Sequence, residues 1–278
     1  MTQELRTDSP VTWCPGCPNF IILESARKAL LNLIKQGYKR ENFAMTVGIG
    51  CHAKIFDYLD ISGIYGLHGR TIPTAMGIKI GNPNLTVLAF AGDGDTYAEG
   101  IGHFVHAGRY NTDMTLMVHD NQTFSLTTGQ GSPTSQENYK NKAEPLGKST
   151  PPLNPIKLAL SSEISFIARC NARDITHTQE VLEKAITHKG FSFIEIIQDC
   201  TSFNLDVNKR DKDMYQLNSP CKTKDQALKL ADEFDYNIRK GKIPLGIFWQ
   251  ENKKTLTEEW PQLSNLKKKG IGWKDLKR

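Results

Sequence analysis

The chain has 278 residues, 38% of them hydrophobic and 23% charged, a balance that excludes a disordered or collagen-like polymer and allows one large core. Its formal net charge of +5 is modest and interspersed with acidic residues, which argues against a nucleic-acid partner. The longest apolar runs, FIIL at 20–23 and LTVLAFA at 85–91, fall far short of a membrane span.

The first residues, MTQELRTDSP, lack a basic-then-apolar leader. A cytoplasmic chain without membrane contact is therefore expected, with its six cysteines acting as ligands or free thiols rather than disulfides. Apolar positions Phe20, Leu23, Ala26, Leu30, Leu31 and Ile34 predict a helix over 20–36, with Asn19 placed to cap it and Gly37 to stop it. FAMTVGIG (43–50) reads as a strand entering a glycine turn, and TIPTAMGIKIG (71–81) as a helix with Pro73 in its first turn. LTVLAF (85–90) and MTLMVHD (114–120) are strands flanking a helix over 96–109 that its glycines weaken. ISFIARC (164–170) and FSFIEIIQD (191–199) are further strands, separated by a helix over 177–190 that ends at glycine.

Strands alternating with helices predict an α/β fold, three layers α/β/α around a mostly parallel sheet. The polar stretch 123–155 is long for a connection and reads as functional or mobile. After about 205 the alternation fades into a charged region with a helix-like stretch at 224–240 and the apolar run IPLGIFW. Residues 1–205 are thus expected to hold the site, and 206–278 to form an extension packing on that domain or on a partner chain. The closing LKKKGIGWKDLKR suits a solvated surface or an acidic protein partner.

Ligands of open α/β sheets bind beyond the C-terminal strand ends. After the strand at 85–90 comes AGDGD (91–95), where backbone N–H groups at a helix start can receive phosphate. After the strand at 114–119 comes DNQTF (120–124). Asp93 and Asn121 lie one β-α-β crossover apart, so adjacent strands bring a carboxylate, an amide and backbone carbonyls into one crevice. With diphosphate oxygens, those hard ligands suit Mg²⁺. The plainer possibility is a tight turn with Asp95 as a cap.

GDG followed by an Asn at the next strand end resembles the thiamine diphosphate signature. GIGCHAK, GLHGRTIPTAMGIK, AGDGD and DNQTFSLTTGQGSPTS, in that order, closely resemble the β subunit of 2-oxoacid:ferredoxin oxidoreductases, from Trp13 to about Asn204. The resemblance implies a thiamine diphosphate-binding fold and oxidative decarboxylation of a 2-oxoacid to acyl-CoA and CO₂. Single electrons would pass through a [4Fe–4S] cluster to ferredoxin, with coenzyme A as co-substrate. It assigns Cys14 and Cys17 of WCPGC, Cys51 of GIGC and Cys200 of DCTSFN to the cluster, one thiolate per iron. Four such thiolates would also accept zinc. Asp93, Asn121 and the Thr123 carbonyl are implied as Mg²⁺ ligands, with Gly92, Gly94, Asp95, Leu126 and Thr127 at the diphosphate. Ile49, Gly50, Cys51, His52, His68 and Gly69 are implied to line the cofactor. Lys54 matches a lysine near the substrate, and His68 is either a proton donor or a packing residue. Cys170 reads as a core or strand-end thiol and Cys221 as a surface thiol.

The sequence departs from the family pattern at Phe124, where Tyr is common, and at Ser125 and Thr128, where glycines stand. Pro18 replaces the glycine that usually follows CPGC. His52 and Ala53 take the place of small residues, and Asp199 that of a proline before the last cysteine. No ligand is lost by these changes. The glutamate that activates the cofactor belongs in this family to an α subunit, and no second α/β domain follows residue 205. The resemblance therefore implies an obligate partner, in a heterodimer or a dimer of heterodimers. Two other readings of the motifs are a non-oxidative thiamine-dependent lyase subunit with a zinc staple, and a non-catalytic assembly subunit.

Overall fold

The structure, a computed structural model, describes residues 5–271. Residues 1–4 and the end of the basic tail, 272–278, lie outside the described residues. Helix α1 (Asn19–Lys35) leads into β1 (Phe43–Val47), the short helix α2 (Ile55–Tyr58) and the strand β2 (Ser62–Tyr65). Then come α3 (Thr71–Gly81), β3 (Thr86–Gly92), α4 (Ile101–Tyr110) and β4 (Met114–Asp120). Beyond a long loop lie α5 (Pro155–Ser161), β5 (Phe166–Asn171), α6 (Ile175–Thr187) and β6 (Phe191–Ile197). The last described elements are β7 (Met214–Gln216), α7 (Lys224–Ala231), β8 (Ile243–Gln250), α8 (Leu256–Glu259) and α9 (Pro261–Lys268).

The strands form one sheet in the order β2-β1-β3-β4-β6-β5-β8-β7. All pairings from β2 through β5 are parallel, β8 is antiparallel to β5, and β7 runs parallel to β8. Residues 206–271 thus extend the sheet itself, through β8 bonded directly to β5. Alternate strand residues feed opposite faces, as strand geometry requires. Met45, Leu88, Phe90 and Ile194 pack under α1 and α6 on one face. Val87, Ala89, Leu116 and Phe193 pack under α3, α4, α5 and α7 on the other. Both faces are covered, which is why the central strands read as continuous apolar runs rather than alternating ones.

Several expected boundaries change. Asn19 does not cap α1. Pro18 takes that position without a side-chain cap, which costs little where the first N–H groups are unpaired anyway. Asn19 is buried inside the first turn and bonds His119 instead. The helix expected over 96–109 is two pieces, a wide π turn over 95–99 and then α4, broken at Gly100. A Cβ at Gly100 would lie 2.7 Å from the Asp95 carbonyl, so the sharp break needs glycine. Helix α6 ends at Thr187, short of Gly190, and α7 ends at Ala231 instead of running to 240. Beyond it, the Asp235 carboxylate ties the chain into a turn by accepting the Asn237 and Ile238 N–H groups. Strand β2 was invisible as a pattern because all four of its residues are exposed at the sheet edge. Cys170 is fully buried in β5, while Cys221 is half-buried against the core rather than on the surface. Among the described residues no helix is long and apolar enough to cross a membrane.

Candidate active site

Strand order reverses between β1 and β3: the chain leaves β1 towards β2 on one side and returns to build β3 and β4 on the other. Such a switch point leaves a crevice beyond the strand ends. Strands β1, β3, β4 and β6 are consecutive in the sheet and parallel. Their C-terminal tips therefore gather GIGC, GDGD, DNQT and QDC at one edge.

A cleft at that edge is lined by Ile49, Gly50, Cys51, His52, His68, Gly92, Asp93, Gly94 and Asp95, with Asn121, Thr123, Leu126 and Thr127. Gly69 stands just behind, its N–H donating to Asp95 Oδ1 at 2.5 Å, and the Thr71 hydroxyl donates to Asp95 Oδ2 at 2.9 Å. The close approach of Asp95 explains Gly48: a Cβ there would sit 2.2 Å from its carboxylate. Gly94 faces the Phe124 ring, where a Cβ would lie 2.2 Å from a ring carbon.

Asp93 is 3% exposed, and burial pushes its carboxyl up to about 6, against hydrogen bonds from Ser132, Thr134 and the Gly94 backbone. The Thr134 hydroxyl lies 3.0 Å from Asp93 Oδ2 and 2.8 Å from Asp120 Oδ1. One hydroxyl has one proton, so serving both oxygens requires a proton on one carboxyl. Burial, followed by the charges of Asp93 and Glu195, raises Asp120 well above the carboxylate range. A buried carboxylate at the floor of an open cleft is what a divalent cation would relieve. The Asn121 amide and the Thr123 backbone at the adjacent tip complete an oxygen-rich donor set.

His52 is buried and pushed down to about 3, by burial first and by His68 second, so its ring is neutral. Its Nε2 has no hydrogen-bond partner and lies 3.6 Å from Asp95 Oδ2. His68 is partly exposed, with Nδ1 3.0 Å from a Glu99 carboxylate oxygen and 3.5 Å from Asp95 Oδ1. Arg70 spends its guanidinium on the Gly69 and Glu99 carbonyls and on His103.

A second cavity adjoins the first. Cys14, Cys17, Cys51 and Cys200 all line it, with Trp13, Lys54, Asn121 and Ser125. Cys51, Asn121 and Ser125 belong to both cavities. The CPGC turn closes through the Cys17 N–H to the Cys14 carbonyl at 3.1 Å, with Gly16 at φ 73°, a conformation glycine adopts freely. Trp13 pins this loop down. Its Nε1 donates to the Cys51 carbonyl at 2.6 Å, and its ring packs edge-on against Tyr58 and Phe20. The Lys54 ammonium donates to the Thr12 carbonyl at 2.9 Å, so Lys54 faces the thiol cavity and the loop rather than the first cleft. Asn204 holds the Cys200 turn against the β4 tip through the Asn121 and Gln122 carbonyls, both at 3.1 Å. Asp199, in the place of a family proline, is buried, ion-paired with Arg173, and accepts the Asn208 N–H at 2.8 Å. Burial, then the nearby Cys51, Cys200 and Cys14, raises the Cys17 thiol to about 11, partly offset by the Asn19 N–H. Burial likewise raises Cys51. Among the described residues, no three His, Cys, Asp or Glu converge on a single-ion site. The four thiols surround a cavity instead.

The description "Thiamine pyrophosphate enzyme, C-terminal TPP binding domain" belongs to the family whose model matches residues 48–196, more than half the chain. Over 252 residues the chain is 41% identical to a 2-oxoacid:ferredoxin oxidoreductase subunit β of a Sulfolobus species, covering 86% of this chain and 81% of that one. The chain belongs to the 2-oxoacid:ferredoxin oxidoreductase β subunits. A 2-oxoglutarate synthase subunit KorB from Archaeoglobus fulgidus is 39% identical over 197 residues, 70% of this chain and 72% of that one. A solved 2-oxoglutarate:ferredoxin oxidoreductase from Magnetococcus marinus, with 2-oxoglutarate, coenzyme A and succinyl-CoA bound, superposes with a TM-score of 0.86. It shares 30% identity, covering 97% of this chain and 90% of that chain.

In this β-subunit fold the cleft also holds residues the sequence did not single out. His119, fully buried and held far below its usual pKa by burial, pairs Nδ1 with Asn19 Oδ1 at 2.8 Å, a contact in which Nδ1 donates. Gln198 lines the cleft from the β6 tip. Thr134 arrives from the long polar loop, whose Ser132, Thr134 and Ser135 are buried. The position of His119 in the apolar run MTLMVHD was the one available signal.

Proposed function

We propose that this chain is the cofactor-carrying β subunit of a cytoplasmic enzyme that oxidatively decarboxylates a 2-oxoacid to acyl-CoA and CO₂ and passes electrons to ferredoxin. The observation that carries the reading is the common wall: Cys51 faces both the thiol cavity and the cleft of the thiamine diphosphate signature. The donors on each side fit the groups assigned to them. Asp93, Asn121 and the Thr123 carbonyl would hold Mg²⁺, with Gly92, Gly94, Asp95, Leu126 and Thr127 against the diphosphate. Ile49, Gly50, Cys51, His52, His68 and Gly69 would line the rest of thiamine diphosphate. Cys14, Cys17, Cys51 and Cys200 would hold a [4Fe–4S] cluster. Four thiols around a cavity suit a group with four metal corners better than one zinc ion.

When bound, thiamine diphosphate supplies an electron sink for decarboxylation and the cluster accepts electrons singly. The chain's own residues prepare that exchange. Neutral His52 presents an imidazole free of charge beside the cofactor. Asp95, anchored by Gly69 and Thr71, fixes the GDGD turn. His68 sits between Glu99 and Asp95 at the cleft mouth, where it would serve as a proton donor or as a packing and hydrogen-bonding residue. Lys54, bonded to the Thr12 carbonyl, would be the cation that pairs with a substrate carboxylate.

Exposed Leu126 lines the cleft, and exposed Phe203 lines the thiol cavity. Apolar side chains around both mouths support coverage by an obligate α subunit in a heterodimer or dimer of heterodimers. The relatives' oxidoreductase names do not favour a non-oxidative lyase or an assembly subunit. The test is reconstitution. Co-expressed with its partner subunit, the chain is expected to drive 2-oxoacid- and CoA-dependent reduction of ferredoxin, and neither chain alone to do so. Full turnover by the β chain alone, or decarboxylation without electron output, would overturn the proposal.

A further inference from the structure

Lys148 belongs to the long polar loop yet is only 7% exposed. Its backbone is paired across that loop: the Asn138 N–H donates to the Lys148 carbonyl at 2.8 Å, and the Lys148 N–H to the Tyr139 carbonyl at 3.0 Å. The stem passes close to Gly131, where a Cβ would sit 3.0 Å from Lys148 Cδ, so the glycine makes room for it. The ammonium donates to two backbone carbonyls, Thr150 at 2.6 Å and Ser135 at 3.3 Å. Ser135 closes a turn that is also held from its other side. Its hydroxyl donates to the Gln122 carbonyl beyond the β4 tip at 2.6 Å and accepts the Ser132 N–H at 2.8 Å. Its N–H donates to the Ser132 carbonyl at 3.1 Å. Within this turn stands Thr134, whose hydroxyl lies against the Asp93 and Asp120 carboxyls.

An ammonium is costly to bury unless its N–H groups find acceptors. Here two of the three find them on the loop that carries Thr134. The groups bonded to a metal ligand set its orientation, and whatever fixes those groups shares in that control. We infer that Lys148 is a positioning residue for the metal site: its ammonium fixes the 132–135 turn and so keeps the Thr134 hydroxyl on Asp93. Without the ammonium, the outer side of the turn loses its anchor and Thr134 can draw back from the carboxyl. The inference rests on the Mg²⁺ reading of Asp93 above. Lys142 offers a comparison, since it belongs to the same loop but is exposed.

The experiment measures Mn²⁺ binding to protein co-expressed with its partner subunit, freed of Mg²⁺ and supplied with thiamine diphosphate. Loss of the free-ion electron paramagnetic resonance signal at room temperature reports the bound fraction. Wild type, Lys148→Met, Lys148→Arg, Lys142→Met, Thr134→Val and the double variant Lys148→Met/Thr134→Val are compared. Lys148→Met keeps the stem and removes the donors, and is expected to bind Mn²⁺ about 10-fold more weakly. Lys148→Arg, which keeps N–H donors, is expected to recover part of that loss, and Lys142→Met to match wild type. Because Lys148 acts through Thr134, the double variant is expected to bind no more weakly than Thr134→Val alone. Unchanged Mn²⁺ affinity in Lys148→Met overturns the inference, as do losses that add in full in the double variant. Failure of Lys148→Met to fold also overturns it, by assigning the ammonium to the folding of the loop. Wild-type protein that binds no Mn²⁺ with thiamine diphosphate present overturns the metal site of the function proposal itself, an outcome distinct from the other three.

Discussion

Thr134 and Thr128 show how much one side chain can set in this site. The Thr134 hydroxyl spans the buried Asp93 and Asp120 carboxyls. Replacing it with valine keeps the shape and removes the hydroxyl that bonds both carboxyls. Thr134→Val is expected to weaken Mg²⁺ or Mn²⁺ binding by about 10–100-fold, the usual cost of losing a partner of a metal ligand, measured by calorimetry on the cofactor-loaded complex. Thr128 sits at φ 76°, a left-handed conformation that costs a β-branched residue about 1–2 kcal/mol. Thr128→Gly relieves that strain but loosens the unfolded chain, leaving a net gain of about 0.5–1 kcal/mol in denaturant unfolding. Cys170 gives the opposite kind of statement. Full burial pushes its thiol far above the ordinary range, so alkylation at pH 8 is expected to spare it in the native chain.

At the scale of elements, β5 and β6 carry a buried ion pair. Arg169 and Glu195 are wholly buried and bonded at 2.8 Å, with Tyr236 donating to Glu195 and Phe234 and Phe248 stacked around the guanidinium. Arg169→Met leaves a buried carboxylate without its cation and is expected to cost about 3–5 kcal/mol of stability. At the chain's far end, α8 begins with a capping box in which the Thr255 N–H and hydroxyl bind Glu258, which also meets Lys189. Burial alone would raise the Glu258 carboxyl. The Lys189 and Thr255 hydrogen bonds win, and they lower it from 4.5 to about 2. A depressed folded-state pKa gives stability that is present above the unfolded value and lost as pH falls through the folded one. Glu258→Gln should therefore be less stable than wild type near pH 7, with the difference shrinking between pH 4.5 and 2.

Across the whole molecule, what the sequence revealed follows from distance along the chain. The Asp93–Asn121 crevice was readable because one crossover joins neighbouring parallel strands, and β3 and β4 do pair. The core helix α3 was readable to the residue because its ends coincide with the chain's own punctuation. The common wall was not readable. Cys14, Cys51 and Cys200 are far apart in sequence, and family resemblance, not spacing, put them together. Thr134 lies in a loop whose polarity reads as exposure, yet that loop buries its hydroxyls against the strand tips. Asn19 looked like a cap because nothing local announces His119, one hundred residues away. Strands β7 and β8 were missed because charged turns surround them and β8 joins the sheet antiparallel, outside the strand–helix rhythm.

The central claim is that one wall, at Cys51, separates a thiamine diphosphate site from a four-thiolate cluster. The most direct measurement is the iron, sulfide, zinc and thiamine diphosphate content of protein co-expressed anaerobically with its partner subunit, with a visible absorbance spectrum. About four irons, four sulfides and one thiamine diphosphate per β chain are expected, the stoichiometry of one [4Fe–4S] cluster beside one cofactor. Stoichiometric zinc without iron would contradict it.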